Sequence, residues 1–216
     1  MSVIPLHTMP AAVICEILQA ESQQLIPISH EHLANLPQQQ GILCWWLRKR
    51  AAPNLFNLYL EVKDYPVLCR KSAAGEEWLL VYVETCLRVS KVPNTIQHQV
   101  RHTLTQKHTM GHVKNGTLSA LRSRIAALLG NDLLETDIEN KVTLFLQTHM
   151  RVSYRLHDSL SAAAAKAVEV NWVQQLQPLL NFRYNENASL QAGNHVSRLC
   201  KIRCREVVKN TRRRLR

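Results

Sequence analysis

The stretch WLLVYVETCLRV, residues 78–89, opens with six consecutive apolar residues and is apolar on both faces at its start. Six residues fall far short of a membrane-crossing helix. The run suits a long β-strand with cover on both sides. Its surroundings carry the same signature. In LFNLYLEV (55–62), Phe56, Leu58, Leu60 and Val62 alternate with Leu55, Asn57, Tyr59 and Glu61, the period of a half-buried strand. DYP (64–66) turns the chain, VLCR reads as a short strand and RKSAAGE (70–76) as a connecting loop. CWW (44–46) fits either a further strand or a helix end. Upstream, Pro10 suits the first turn of a helix to about Gln19 with Val13, Ile14, Ile17 and Leu18 apolar, and Ser29 suits the cap of a short helix ending before Pro37. These elements make a small antiparallel sheet with helices on one face.

Past Pro93 the pattern becomes helical. NTIQHQVRHTLTQK (94–107) reads as a first helix and TQKHTMGHVKNGT (105–117) as a basic loop. TLSALRSRIAALLG (117–130) places Leu118, Leu121, Ile125, Leu128 and Leu129 on one face and stops at Gly130. Thr136 with Glu139 matches a capping box, ahead of a helix carrying Ile138, Val142, Phe145 and Leu146. Residues 152–177 read as one long alanine-rich helix ended by Pro178, and a last helix starts near Ala188. The predicted class is α+β: an N-terminal sheet domain over 1–93, then a helical bundle over 94–216 ending in a basic amphipathic helix.

The chain carries a formal charge of +11 and a pI near 9.7. Residues 1–93 are balanced, with eight Lys/Arg against eight Asp/Glu, whereas residues 198–216 hold nine against one. An imbalance this local favours a localised anionic partner. On a helical wheel Arg198, Lys201, Arg205, Lys209, Arg212 and Arg216 fall on one side, and Val196, Leu199, Cys200, Cys204 and Val207 on the other. That stripe is roughly 27 Å long at the helical rise, enough to follow several phosphates. Arg213 and Arg214 belong to the same tail, and Lys107, Lys114, Arg122 and Arg124 are candidate extensions of the patch. The stripe's apolar side has no Trp or Phe, which argues against membrane insertion.

The six cysteines show no C-x-x-C spacing and read as free thiols of a cytoplasmic protein. Cys200 and Cys204 do not complete a zinc site, and the pairs His98/His102 and His108/His112 lack an intervening Glu. The expectation is no cofactor and no metal. PNLFNLYLEVK (53–63) resembles the metal-dependent nuclease pattern of a Pro-Asp turn followed by Glu-x-Lys on a strand. That resemblance implies a catalytic role for Glu61 and Lys63. Asn54 stands where the pattern has Asp, and a neutral amide is a poor replacement for a carboxylate ligand.

The sequence thus points first to a non-enzymatic nucleic-acid-binding protein that grips the phosphate backbone, DNA or RNA, through its basic helix. A subunit role in a bacterial nucleoprotein complex of RNA-guided or mobile-element type is one form of this reading, with other protein subunits as partners. The alternatives are a metal-dependent nuclease centred on Glu61 and Lys63, and an adaptor whose tail meets an acidic protein.

Overall fold

The computed structural model describes residues 8–19, 24–29, 31–32, 35–36, 39–52, 68–86, 119–129, 137–157, 161–181 and 184–185. Five strands form one antiparallel sheet: β1 (Ile26–Pro27), β2 (Gly41–Arg48), β3 (Cys69–Lys71), β4 (Glu77–Cys86) and β5 (Met150–Leu156), in the spatial order β1-β5-β2-β4-β3. Among the described residues four α-helices accompany it: α1 (Ala11–Gln19), α2 (Ala120–Leu129), α3 (Ile138–His149) and α4 (Ala162–Leu176).

The central strand β2 explains the layering. Its sequence GILCWWLR is buried at every position but the last. Successive side chains leave a strand on opposite faces, so both faces must be covered. Leu43, Trp45 and Leu47 pack with Leu79, Val81, Met150 and Val152 and with Leu121 and Ile125 of α2 and Val142 and Leu146 of α3. Ile42, Cys44 and Trp46 pack with Trp78, Leu80 and Val83 and with Ile14 and Leu18 of α1 and Val168, Trp172 and Val173 of α4. The sheet is therefore the middle of three layers. CWW is strand, and its two tryptophans serve opposite layers. The Trp46 indole N–H donates to Ser153 Oγ at 2.9 Å, across the β2–β5 pair. A bulge at Val81 lets β4 oppose Trp45 with Tyr82 and Trp46 with Leu80.

The sheet with packed helices agrees with the α+β expectation. One predicted helix, however, is partly strand. The helix expected over 152–177 begins only at Ala162; before it, β5 occupies 150–156 and pairs with both β1 and β2. The reason is pairing: Val152 lies opposite Trp45 and Arg151 opposite Trp46. Val152 and Tyr154 alternate with Arg151 and Arg155, a period of two that the neighbouring alanine run obscures. The sheet therefore takes strands from both sides of residue 93. The helix ends at the expected place. Gln177 is in the left-handed region (φ 48°), its N–H returns to Val173 O, and Pro178 follows.

Other details follow local chemistry. α1 and α3 bury the residues their periodicity marks, Ile14 and Leu18 in one and Ile138, Val142, Phe145 and Leu146 in the other. RKSAAGE is the β3–β4 hairpin turn, closed by Ser72 and Glu76 backbone pairing with Gly75 at φ 77°, a conformation that favours glycine. Asp137 is the N-cap of α3; its carboxylate makes no bond to a helix N–H and accepts from Asn140 Nδ2 at 2.8 Å, while Glu139 pairs with Arg122. Thr136, the other half of the expected capping box, lies outside the described residues. The strand expected at 55–62, the helix at 94–107 and everything past 185, the basic tail included, lie outside the described residues.

Arg122 joins α2 to α3. It is 2% exposed, and its Nη2 donates to Glu139 Oε2 (3.1 Å), Glu139 O (3.2 Å) and Thr143 Oγ1 (3.0 Å). A buried guanidinium needs this degree of compensation.

Two stability predictions follow from these contacts. Ser153→Ala removes the acceptor of a buried indole N–H and is expected to cost about 1–3 kcal/mol. Arg122→Met leaves Glu139 without its cation and is expected to cost about 3 kcal/mol, part of which Arg122→Met with Glu139→Gln recovers. Urea unfolding of the variants checks both.

Candidate functional site

The loop after α4 is fixed to β4 by unusual means. β3 pairs with β4 only over residues 77–79, so the same edge of β4 further along needs other partners. Leu180 N–H donates to Val81 O at 2.7 Å. The Asn181 side chain then imitates a strand: its Oδ1 accepts from Val83 N and its Nδ2 donates to Val83 O, both at 2.8 Å. Asn185 Nδ2 closes the loop on Pro178 O at 2.9 Å. Within this loop Tyr184 is held at φ 65°, which is uncommon for a side chain of its size. Such strain concentrates at functional sites.

This clamp places Tyr184 beside α4. Lys166 Nζ sits 4.5 Å from the Tyr184 ring centroid and donates to Glu169 Oε1 at 2.9 Å. Thr85, next to last in β4, donates its hydroxyl to Glu169 Oε2 at 3.0 Å. The Glu169 side chain is 23% exposed and that of Lys166 is 43% exposed. Ser161 caps α4 through Ala164 N–H, which fixes the helix start one turn before these residues. The result is a half-buried carboxylate bracketed by a hydroxyl and an ammonium, with an aromatic ring over the ammonium. A partly exposed carboxylate next to a cation is a recurrent arrangement for acid–base chemistry. Glu84, the neighbour of Thr85, points elsewhere: it is 3% exposed and accepts from the Trp45 indole at 3.4 Å.

Among the described residues no group of three or more His, Cys, Asp or Glu side chains could hold a metal ion. Both Glu169 oxygens accept bonds from neighbours.

The sequence-derived candidates are placed differently. Arg122 is not an outward cation but the buried link between α2 and α3. Arg124 lies 5.4 Å from the Tyr82 ring centroid and donates to Leu180 O, so it braces the same loop. Glu61, Lys63, Lys107, Lys114, the histidine pairs, Cys200, Cys204 and the tail cations Arg198, Lys201, Arg205, Lys209, Arg212, Arg213, Arg214 and Arg216 lie outside the described residues. Sequence reasoning missed Thr85, Lys166, Glu169 and Tyr184. Their sequence signal is a lone Lys-x-x-Glu in an alanine-rich helix, which also describes an ordinary exposed ion pair.

No curated protein and no solved structure matches this chain. A family model described as the GIY-YIG catalytic domain matches residues 41–205. The match begins at the first residue of β2 and contains β2–β5, α2–α4 and the Thr85–Lys166–Glu169–Tyr184 cluster. A catalytic domain over that span overturns the expectation of a binder without enzymatic activity, which rested on charge patterning and on the absence of a complete catalytic motif. The chain, matched over well more than half its length, belongs to the GIY-YIG catalytic domain family.

Proposed function

We propose that the protein is a nuclease that hydrolyses phosphodiester bonds, with Glu169 as its working carboxylate. The observation that carries this reading is the catalytic-domain match over 41–205; GIY-YIG domains act on nucleic acids, and DNA is the substrate proposed. The cluster on α4 has chemistry suited to it. Hydrolysis forms a bond from a water oxygen to phosphorus and breaks the bond to the leaving oxygen. The water proton needs an acceptor, and the charge on the phosphoryl oxygens needs a cation. Glu169 offers the acceptor, kept in place by Thr85. The Lys166 ammonium, partly exposed, offers the cation. Tyr184 limits the conformers available to Lys166 by lying against it. The basic tail, with the cations from Arg198 to Arg216, adds affinity for the phosphate backbone in this reading.

Glu169→Gln keeps the side-chain size and removes the proton acceptor. Cleavage of duplex DNA is expected to fall by about 10²–10⁴-fold with the unfolding midpoint little changed. Unaltered cleavage by this variant rules out Glu169, and a loss seen only with Glu61→Ala moves the working carboxylate to Glu61. Absence of cleavage by the unaltered protein on DNA and on RNA, in buffers with and without Mg²⁺ or Mn²⁺, rejects the nuclease reading itself. Replacing Arg205, Lys209 and Arg212 by Ala is expected to flatten the dependence of binding on salt concentration.

A further inference from the structure

The far end of the sheet carries a second charged cluster. Arg48 closes β2, Lys49 and Arg50 follow in a short 3₁₀ turn (Lys49–Ala51), and Glu76 at the end of the β3–β4 turn and Glu77 at the start of β4 face them. Together they line a recess of about 330 Å³. Glu76 is shared between Arg48 (3.2 Å) and Arg50 (3.5 Å), and Lys49 pairs with Glu77 at 2.7 Å. Arg70 and Lys71 on β3 stand opposite Trp78 and Glu77, and Arg151 on β5 stands opposite Trp46. Among the described residues this end therefore brings together six cations and two carboxylates, a surplus of four positive charges.

Two features make the cluster more than a solvated edge. First, it is rigid. Trp78 is 2% exposed, and the guanidinium carbons of both Arg48 and Arg151 lie 5.2 Å from its ring centroid. Arg151 is further held by the carbonyls of Gln147 and Met150. Cations fixed on an aromatic surface meet an anion with little further ordering. Second, the local field is positive despite the two carboxylates. His149, at the end of α3, has its pKa pulled below the usual imidazole value, by burial first and then by the charges of Arg48 and Arg50. The outermost cations, Lys49 and Arg50, are 53% and 73% exposed, so a polyanion reaches them without rearrangement of the core.

The shape of the cluster selects the ligand. Its cations lie on β3, at the end of β2 and on β5, with β4 between β3 and β2, a width of about 14 Å at the strand spacing, which is wider than one phosphate and matches a run of backbone phosphates. The distance to the other site is also fixed. Trp78 and Thr85 lie opposite Arg48 and Ile42 of β2, six residues apart, so they are about 20 Å apart, or roughly six base pairs at the rise of duplex DNA.

We infer that the Arg48–Lys49–Arg50 end of the sheet is a second contact for the nucleic-acid backbone, gripping phosphates about six base pairs from the bond positioned at Glu169. The inference rests on the nuclease reading for the identity of the ligand and for the position of the bond cut, but its test is one of binding.

The test is binding of a duplex of about 20 base pairs across a salt series, by the full chain and by the Lys49→Gln/Arg50→Gln double variant. The slope of log affinity against log salt is expected to shrink by about 2 in the variant. Glu76→Gln/Glu77→Gln is expected to do the reverse and bind more tightly, which a merely unfolded variant does not do. A slope unchanged by the first pair and an affinity unchanged by the second overturn the proposal. A changed slope in a protein that cleaves nothing leaves this contact standing and removes the nuclease reading, so the two failures are distinguishable.

Discussion

The structure depends on a single constraint: β2 is apolar on both faces. A strand of that kind has no face to give to water, so it must be central in its sheet and covered above and below. Trp45 and Trp46, adjacent in sequence, fill opposite layers, and each satisfies its indole N–H on a different strand, Glu84 of β4 and Ser153 of β5. α2 and α3 are thereby assigned to one layer, and α1 and α4 to the other. Among the described residues, β4 takes one side of β2 and the N-terminal part does not supply the strand on the other. It arrives from residues 150–156, and the connection carries α4 back across the sheet toward β4.

That return is what builds the candidate site. α4 lies over β4, where Val168, Trp172 and Val173 join Leu80 and Val83 in one core. The helix positions Lys166 and Glu169 at the end of β4 where Thr85 emerges, and the Asn181 clamp then brings Tyr184 up to the lysine. The polar cluster is thus assembled from β4, α4 and the following loop, elements separated by some 80 to 100 positions in the chain. Each is rigid for reasons of core packing or edge pairing rather than for the sake of the cluster. This is the usual economy of a catalytic scaffold, in which stable elements hold a few polar groups in register.

Some of this was legible. The strand character of 78–86 follows from its unbroken apolar run, and α1 and α3 follow from the 3.6-residue spacing of Ile14 and Leu18, and of Ile138, Val142, Phe145 and Leu146. β5 was hidden because MRVSYRL is short and half polar, and its stability comes from pairing with β1 and β2, not from local preference. Arg122 was misplaced for a related reason. An arginine on an amphipathic helix is ordinarily a surface cation, and only the approach of Glu139 and Thr143 from α3 makes its burial tolerable. Glu169 was invisible as a site because a Lys-x-x-Glu pair has the same appearance in any exposed helix; its meaning depends on Thr85 and Tyr184.

The sequence by itself determined which segments must be buried, the overall α+β character and the concentration of positive charge in the last nineteen residues, because hydrophobic periodicity and charge are local properties of the chain. Tertiary structure alone decided which strand lies beside β2, which arginine is buried and which carboxylate is brought to a hydroxyl, an ammonium and a strained tyrosine. Those outcomes rest on contacts between residues far apart in the chain, and an antiparallel partner or a buried ion pair leaves no periodic trace in the residues that make it.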